Sequence, residues 1–273
     1  MMVFRTISCR YFQRAFLFAV PIGGLAGLIG LGGGEFRLPV LMQVIGFPAR
    51  AAVPLNLVIS LVTLSAALVT RNHAVPAASV LTHLPEVVGL AIGGVVSAIY
   101  GIRLVARISD RRLTIVISAL LAALGVLLLV EALFPFGQAV IASESGLVRG
   151  IAGVAIGLGV GMVSSMLGVA GGELLIPALV FLFGADIKTA GTASLMISIA
   201  IVATGVWRYH RAGALPLKGG TQRIVASMSV GSLIGAALGG WTVAVAPAVL
   251  LKELLGAVLI VAAIKTVRKH GNP

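Results

Sequence analysis

Two glutamates occupy the same place in two related Gly-rich segments. Residues 30–39 read GLGGGEFRLP and residues 168–177 read GVAGGELLIP, so Glu35 and Glu173 are 138 positions apart. Both segments are flanked by long apolar runs, where an ionisable side chain at the centre of a bilayer costs roughly 2.5–3.5 kcal/mol. Side chains retained at that cost usually face a polar cavity, bind a substrate or carry protons. The two glutamates are therefore candidates for substrate binding and for proton coupling.

Each Gly-rich segment is predicted to break a helix and form a helical hairpin, residues 15–31 with 36–47 and residues 150–168 with 174–185. Glycine supplies the backbone freedom for the break, and a proline near the start of the second helix is tolerated there. Unpaired amide groups and the positive end of the helix dipole then point into the break, which favours an anion. We predict that a substrate anion binds between the two breaks, at Gly33, Gly34, Glu35, Asn56, Gly171, Gly172, Glu173, Thr192 and Ser194.

The same residues also allow a structural interpretation. A glutamate at a helix start can act as a cap that the dipole favours, and glycines let helices pack closely in membrane bundles. Arg37 matches Leu175 in the second segment, so the two breaks do not carry the same charge. Three roles are open to Arg37, namely binding the anion, pairing with Glu35, and snorkelling towards the cytoplasm.

Other residue patterns give no support for an enzyme. His83 and Glu86 are three positions apart but have no third metal ligand nearby, and Ser164 has no histidine in its hairpin to activate it. The first Gly-rich segment lacks the Lys-Ser/Thr ending of a phosphate-binding P-loop. Cys9 is the only cysteine, which excludes intramolecular disulfides and cysteine-based metal or redox motifs. We predict no catalytic residue, no metal and no cofactor.

Composition indicates that the elements around these residues lie in a membrane. Hydrophobic residues make up 59% of the 273-residue chain and charged residues 10%, and the mean hydropathy is +1.13. These values are outside the range of soluble globular proteins. The 20 Lys and Arg against 8 Asp and Glu fall mainly between apolar runs, where they orient helices, so no nucleic-acid partner is predicted.

Each hairpin is followed by three apolar runs of about the length that crosses a bilayer. They lie near residues 51–70, 79–101 and 113–133 in the first half, and near residues 190–207, 224–247 and 249–267 in the second. Further residues match at the same spacing of 138, among them Ser60 with Ser198. We therefore predict an all-α, polytopic membrane protein with two membrane repeats, residues 1–135 and 146–273, joined into one transport domain.

Charge distribution predicts the orientation of the two repeats. If each hairpin leaves the membrane on the side where it entered, fifteen Lys and Arg, including those of the basic cluster at residues 103–112, lie on the side of the N-terminus and four lie on the other side. A single broken crossing at each hairpin gives a weaker asymmetry. The positive-inside rule thus favours the hairpins and a cytoplasmic N-terminus. Each repeat then crosses an odd number of times, which makes the repeats inverted, as in many secondary transporters.

The sequence resembles the sulfite exporter TauE/SafE family, formerly the domain of unknown function 81. The resemblance covers nearly the whole chain and is carried by the glycines and proline of residues 30–39, by those of residues 171–177, and by residues 190–194 (AGTAS). Two positions depart from the pattern. Ala170 replaces the first glycine of the second triplet, and residues 53–54 (VP) stand where the second copy has residues 191–192 (GT).

The resemblance implies a multi-pass permease of the bacterial inner membrane that carries a small sulfur-containing anion such as sulfite, an organosulfonate or thiosulfate. The expected partners are that anion and the lipid bilayer, with protons as a candidate coupling ion and a homo-oligomer left open. A passive anion channel and a carrier of another small organic anion are the alternatives. Saturable, proton-dependent flux would distinguish a carrier from a channel.

Overall fold

The regular structure of this chain is helical throughout the part described by the computed structural model, residues 9–105, 110–133, 140–141, 145–217 and 219–271. The helices of the first half are α1 (Cys9–Ile29), α2 (Gly34–Pro39), α3 (Ala49–Arg71), α4 (Leu84–Val105) and α5 (Asp110–Leu133). Those of the second half are α6 (Gly146–Leu167), α7 (Gly172–Pro177), α8 (Ile187–Arg211), α9 (Gly220–Thr242) and α10 (Ala248–Gly271). One π-helical turn follows each of the two shortest helices, at Val40–Val44 and Ala178–Leu182, and a 3₁₀ helix at Ala77–His83 precedes α4.

Six helices within the described ranges contain spans long and apolar enough to cross a membrane. These spans are Phe12–Ile29, Arg50–Arg71, Ala78–Tyr100, Gly146–Ser164, Ile187–Arg211 and Gly220–Thr242. The predicted all-α polytopic membrane protein is thereby confirmed. Parts of the predicted repeat ends, of the basic cluster at residues 103–112 and of the link between the repeats lie outside the described residues.

The hairpins occur at the predicted breaks, but their two arms differ in length. The first arms were predicted at residues 15–31 and 150–168, whereas α1 and α6 have 21 and 22 residues. The second arms consist of six α-helical residues and a five-residue π turn each. The first arm of the first hairpin, α1, is longer than predicted because residues 9–14 contain no glycine or proline to end the helix.

Small residues bring two pairs of helices into close contact. An added Cβ at Gly27 of α1 would lie 2.3 Å from the carbonyl oxygen of Ala236 in α9. One at Gly93 of α4 would lie 2.2 Å from the carbonyl oxygen of Val154 in α6. Both helix pairs run parallel, and such backbone contacts are the usual way that membrane helices associate.

Two pairs of corresponding helices, α3 with α8 and α5 with α10, run antiparallel to each other. Arg71, at the end of α3, donates to the carbonyl oxygen of Lys188 at the start of α8, 2.9 Å away. Likewise, Lys252 near the start of α10 lies 2.7 Å from Glu131 near the end of α5. Opposite directions of corresponding helices are what an inverted repeat requires. These contacts support the predicted inverted repeat.

Candidate anion site at the two glycine breaks

Two glycines in each break adopt a backbone conformation that other residues rarely adopt. The φ angles are 99° at Gly30 and 66° at Gly33 in the first break, and 65° at Gly168 and 78° at Gly171 in the second. A side chain is strained at such positive angles, so glycine is needed at all four positions. The matched spacing in the sequence therefore reflects a matched backbone path.

The two breaks pack directly against each other. An added Cβ at Gly34 would lie 3.4 Å from the Cα of Val169, and one at Gly172 would lie 3.4 Å from the Cα of Leu31. At the centre of the contact, an added Cβ at Gly32 would lie only 2.5 Å from the Cβ of Ala170. There is room for one methyl group at this crossing, which explains why Ala170 departs from the glycine pattern of the first segment.

We expect Gly32→Ala to destabilise the protein and Ala170→Gly to restore it in the double variant. Two methyl groups at the crossing would force the breaks apart, and overpacking of this kind typically costs about 1–3 kcal/mol. Thermal unfolding in detergent, followed for the two single variants and the double variant, measures the coupling. Equal destabilisation of Gly32→Ala in both backgrounds would contradict the contact.

Side chains satisfy the carbonyl groups of the breaks. Asn56 of α3 donates from Nδ2 to the carbonyl oxygens of both Gly34, at 3.2 Å, and Gly168, at 2.9 Å, and so joins the two breaks. Ser198 donates to the carbonyl oxygen of Ala170 at 3.0 Å. Asn56 was predicted to bind the anion, but its amide nitrogen is already used to hold the breaks together.

The amide groups of the breaks are left without acceptors. Within the described part of the chain, no acceptor is found for the amides of Gly33, Gly34, Gly171 and Gly172. These four glycines are buried, and buried amides are nearly always paired. Unpaired donors at two adjacent helix starts create a local environment that favours negative charge.

The carboxyl groups of Glu35 and Glu173 meet at this crossing. Their side chains lie within hydrogen-bonding reach of each other, and the carboxyl group of Glu35 lies near its own backbone amide. Glu173 is buried, and Oε1 of Glu35 is a buried atom with no hydrogen-bond partner in the described structure. The structure thus brings together two carboxyl groups that are 138 positions apart.

Arg37 is fully buried beside this pair. Its guanidinium donates to Ser60 Oγ and Thr63 Oγ1, both at 3.0 Å, and to the carbonyl oxygen of Gly32 at 3.4 Å. Ser60 and Thr63 lie near the middle of the membrane-length helix α3. Arg37 therefore does not snorkel, and it forms no salt bridge with the described acidic residues, although its charge acts on Glu35.

Ser194 and Thr192 differ in what they can offer an anion. Ser194 Oγ is buried without a hydrogen-bond partner in the part of the chain described, and an added Cβ at Gly172 would lie 3.1 Å from it. Thr192 is engaged instead, because it donates to the carbonyl oxygen of Lys188 at 3.2 Å and accepts from Arg71 at 3.3 Å. The hydroxyl of Ser194 is available at the second break, whereas that of Thr192 belongs to a separate cluster.

That separate cluster is centred on Arg71, which was not among the predicted site residues. The guanidinium is buried and also donates to the carbonyl oxygens of Gly27 and Leu28, at 3.0 and 2.8 Å, where α1 ends. A cation is favourable at a helix C-terminus. The sequence did contain a signal for Arg71. It is an arginine at the end of an apolar run, on the side of the membrane that the charge distribution assigns to the exterior.

His83 and Glu86 take part in an ion-pair cluster. Glu86 Oε1 lies 2.7 Å from His83 Nδ1 and accepts a hydrogen bond from Arg149 of α6. The carboxylate of Glu86 is therefore already paired with a cation of the protein. In the described residues, no group of three His, Cys, Asp or Glu side chains could hold a metal ion.

Comparison with known protein families gives one match. The family model described as Sulfite exporter TauE/SafE matches residues 8–128 and 152–273, which together span nearly the whole chain. The two matched segments are separated where the sequence predicts the link between the repeats. No curated protein and no solved structure matches the chain.

Proposed function

This chain belongs to the sulfite exporter TauE/SafE family of membrane transporters, and from that premise we propose that it is a secondary transporter of a small sulfur-containing oxyanion. Sulfite, an organosulfonate and thiosulfate are the candidate substrates. We place the protein in the bacterial inner membrane with its N-terminus in the cytoplasm, as the charge distribution favours. The two repeats, residues 1–135 and 146–273, act as one transport domain.

The observation that carries the proposal is the crossing of the two breaks, where four buried glycine amides lack acceptors beside a buried arginine. When the two packed breaks separate, amides at Gly33 and Gly34 in one repeat and at Gly171 and Gly172 in the other can donate to oxygens of one anion. Ser194 adds a free hydroxyl. Arg37, next to the crossing, adds positive charge in a region of low dielectric constant, where its attraction for an anion is strong. Because both repeats contribute, movement of one against the other can expose the anion to either side.

The two glutamates provide a means of coupling transport to protons. Two carboxyl groups in contact inside a membrane do not both remain charged, so the pair retains a proton. An arriving anion favours protonation of the pair further, and loss of the anion on the other side favours release of the proton. The membrane potential alone favours anion export by about 2.3 kcal/mol per charge per 100 mV, and uptake therefore needs a cotransported cation such as this proton.

Flux measurements in proteoliposomes test the proposed function. We expect the purified chain to give saturable flux of sulfite or of a small sulfonate, because a binding site becomes saturated. The flux should also respond to an imposed pH gradient, because the proton shared by the two glutamates couples anion transport to proton transport. Protein-free liposomes are the control. Flux that rises linearly with substrate concentration would indicate the channel alternative, and absence of flux for sulfite, sulfonates and thiosulfate would contradict the proposal.

A further inference from the structure

A small cavity lies beside the second break, outside the crossing of the two breaks. The cavity has a volume of about 30 Å³ and lies between α3, α4, α6 and α8. Its wall includes Leu57, Ala98, Ser164, Gly168, Val169 and Arg208. It therefore connects the backbone of the second break with the end of α8, which the charge distribution places on the cytoplasmic side.

Arg208 is a cation without a counterion in this wall. It is half-buried and donates to the carbonyl oxygen of Ala98, and none of the described acidic residues forms a salt bridge with it. Its remaining N–H groups have no protein acceptor in the described residues. A guanidinium presents several donors in a plane, a geometry that matches two oxygens of one oxyanion.

The residues at the matching place in the first half are already engaged by the protein. The residues 138 positions before Arg208 and Tyr209 are Thr70 and Arg71. Thr70 is packed so closely that an added Cβ at Gly240 would lie 2.1 Å from its hydroxyl oxygen. Arg71 is buried, with its donors used on three carbonyl groups and Thr192. Arg71 therefore has its donors used within the protein, whereas Arg208 keeps donors that lack an acceptor in the described residues, although the two halves share the same helix plan.

We propose that this cavity is the access site for the oxyanion on the side where α8 ends, and that Arg208 binds the anion before it reaches the amides of Gly171 and Gly172. The inference rests on the proposed function and adds the residue that selects the anion at one side. A volume of about 30 Å³ holds about one water, so the inner part of the passage must widen for the anion to proceed. Arg208 contacts the anion first, at the end of the cavity farther from the break.

Sulfite flux kinetics of Arg208→Gln test this assignment, with Arg211→Gln as the matched control. Arg211 is exposed on the same helix end, with its guanidinium 5.3 Å from the ring centroid of Trp207 and outside the cavity wall. We expect the KM of Arg208→Gln for sulfite to rise about tenfold or more, because a charge-assisted hydrogen bond to the anion is lost. The KM of Arg211→Gln should stay at the wild-type value. A purely structural role of the bond to Ala98 would instead lower the melting temperature and the maximal flux at unchanged KM.

The outcomes separate the access site from the proposed function. Wild-type flux with equal KM values in both variants would overturn the role of Arg208 and leave the transporter standing. Absence of sulfite, sulfonate and thiosulfate flux in the wild type would overturn both. If Arg208→Gln fails to fold, Gly205→Leu serves as the second variant, because Gly205 lines the cavity beside Leu57. We expect it to obstruct the passage and reduce flux at least about tenfold, as loss of a shape-complementary path does, and unchanged flux would overturn the proposal.

Discussion

In a variant that carries both Glu35→Gln and Glu173→Gln, we expect an imposed pH gradient to drive no accumulation of sulfite above the level in protein-free liposomes. Glutamine has nearly the same shape and can maintain a hydrogen bond across the crossing, but it cannot take up and release a proton. The contact between the two side chains means that they act as one protonation site. Each single variant retains one carboxyl group at the crossing and should lose only part of the coupling.

The measurement is initial uptake of sulfite with and without the gradient, at one substrate concentration and equal protein content. Glu253→Gln is the matched control, because Glu253 is exposed on α10 and lies away from the breaks in the sequence. It should respond to the gradient as the wild type does. Undiminished stimulation in the double variant would show that the coupling ion binds elsewhere, and a lowered melting temperature would attribute the loss to folding.

The positions of the breaks could be predicted from the sequence because their physical cause is local. Glycines at matched spacing, each set followed by a carboxylate and a proline, allow the chain to reverse direction. The long apolar runs on either side place that reversal inside the membrane. Gly33 and Gly171 have the positive φ angles that this interpretation requires. The full length of the first hairpin arms was missed, since the length of a helix before a break depends on residues that carry no signal of their own.

The contacts between the breaks could not be predicted, because they depend on how two distant segments cross. Spacing identified Ala170 as a departure from the pattern, but only the 2.5 Å approach to Gly32 explains it. Asn56 was correctly associated with the breaks, yet its donors go to two carbonyl groups and not to open space. A polar side chain in an apolar run indicates that a partner exists, and the sequence does not say which one.

Arg37 shows how two repeats of one plan can differ in charge. Its counterpart Leu175 is buried in the second half, where Ser198 in α8 provides the hydrogen bond to the carbonyl oxygen of the break. In the first half the corresponding carbonyl oxygen, on Gly32, accepts from Arg37 instead. The arginine therefore replaces a hydroxyl donor and adds a positive charge at mid-membrane depth. A charge retained at that cost is expected to serve the substrate.

We expect Arg37→Leu to reduce sulfite transport at least about tenfold through a higher KM, because a buried positive charge beside the breaks no longer attracts the anion. The variant should still fold. Loss of the donor to Gly32 costs about 1–3 kcal/mol, and removal of a buried charge offsets part of this. Sulfite flux over a range of concentrations, together with a melting curve in detergent, separates the two effects.

Arg37→Lys is the informative companion, because it keeps the charge and loses the planar fork that reaches Ser60 and Thr63 together. If attraction of the anion is the role of Arg37, the lysine variant should lie between the wild type and Arg37→Leu in KM. If the role is to hold α2 against α3, the lysine and leucine variants should both unfold at lower temperature, with the KM of the folded protein unchanged. A wild-type KM for a folded Arg37→Leu would therefore remove the arginine from the anion site and leave binding to the glycine amides alone.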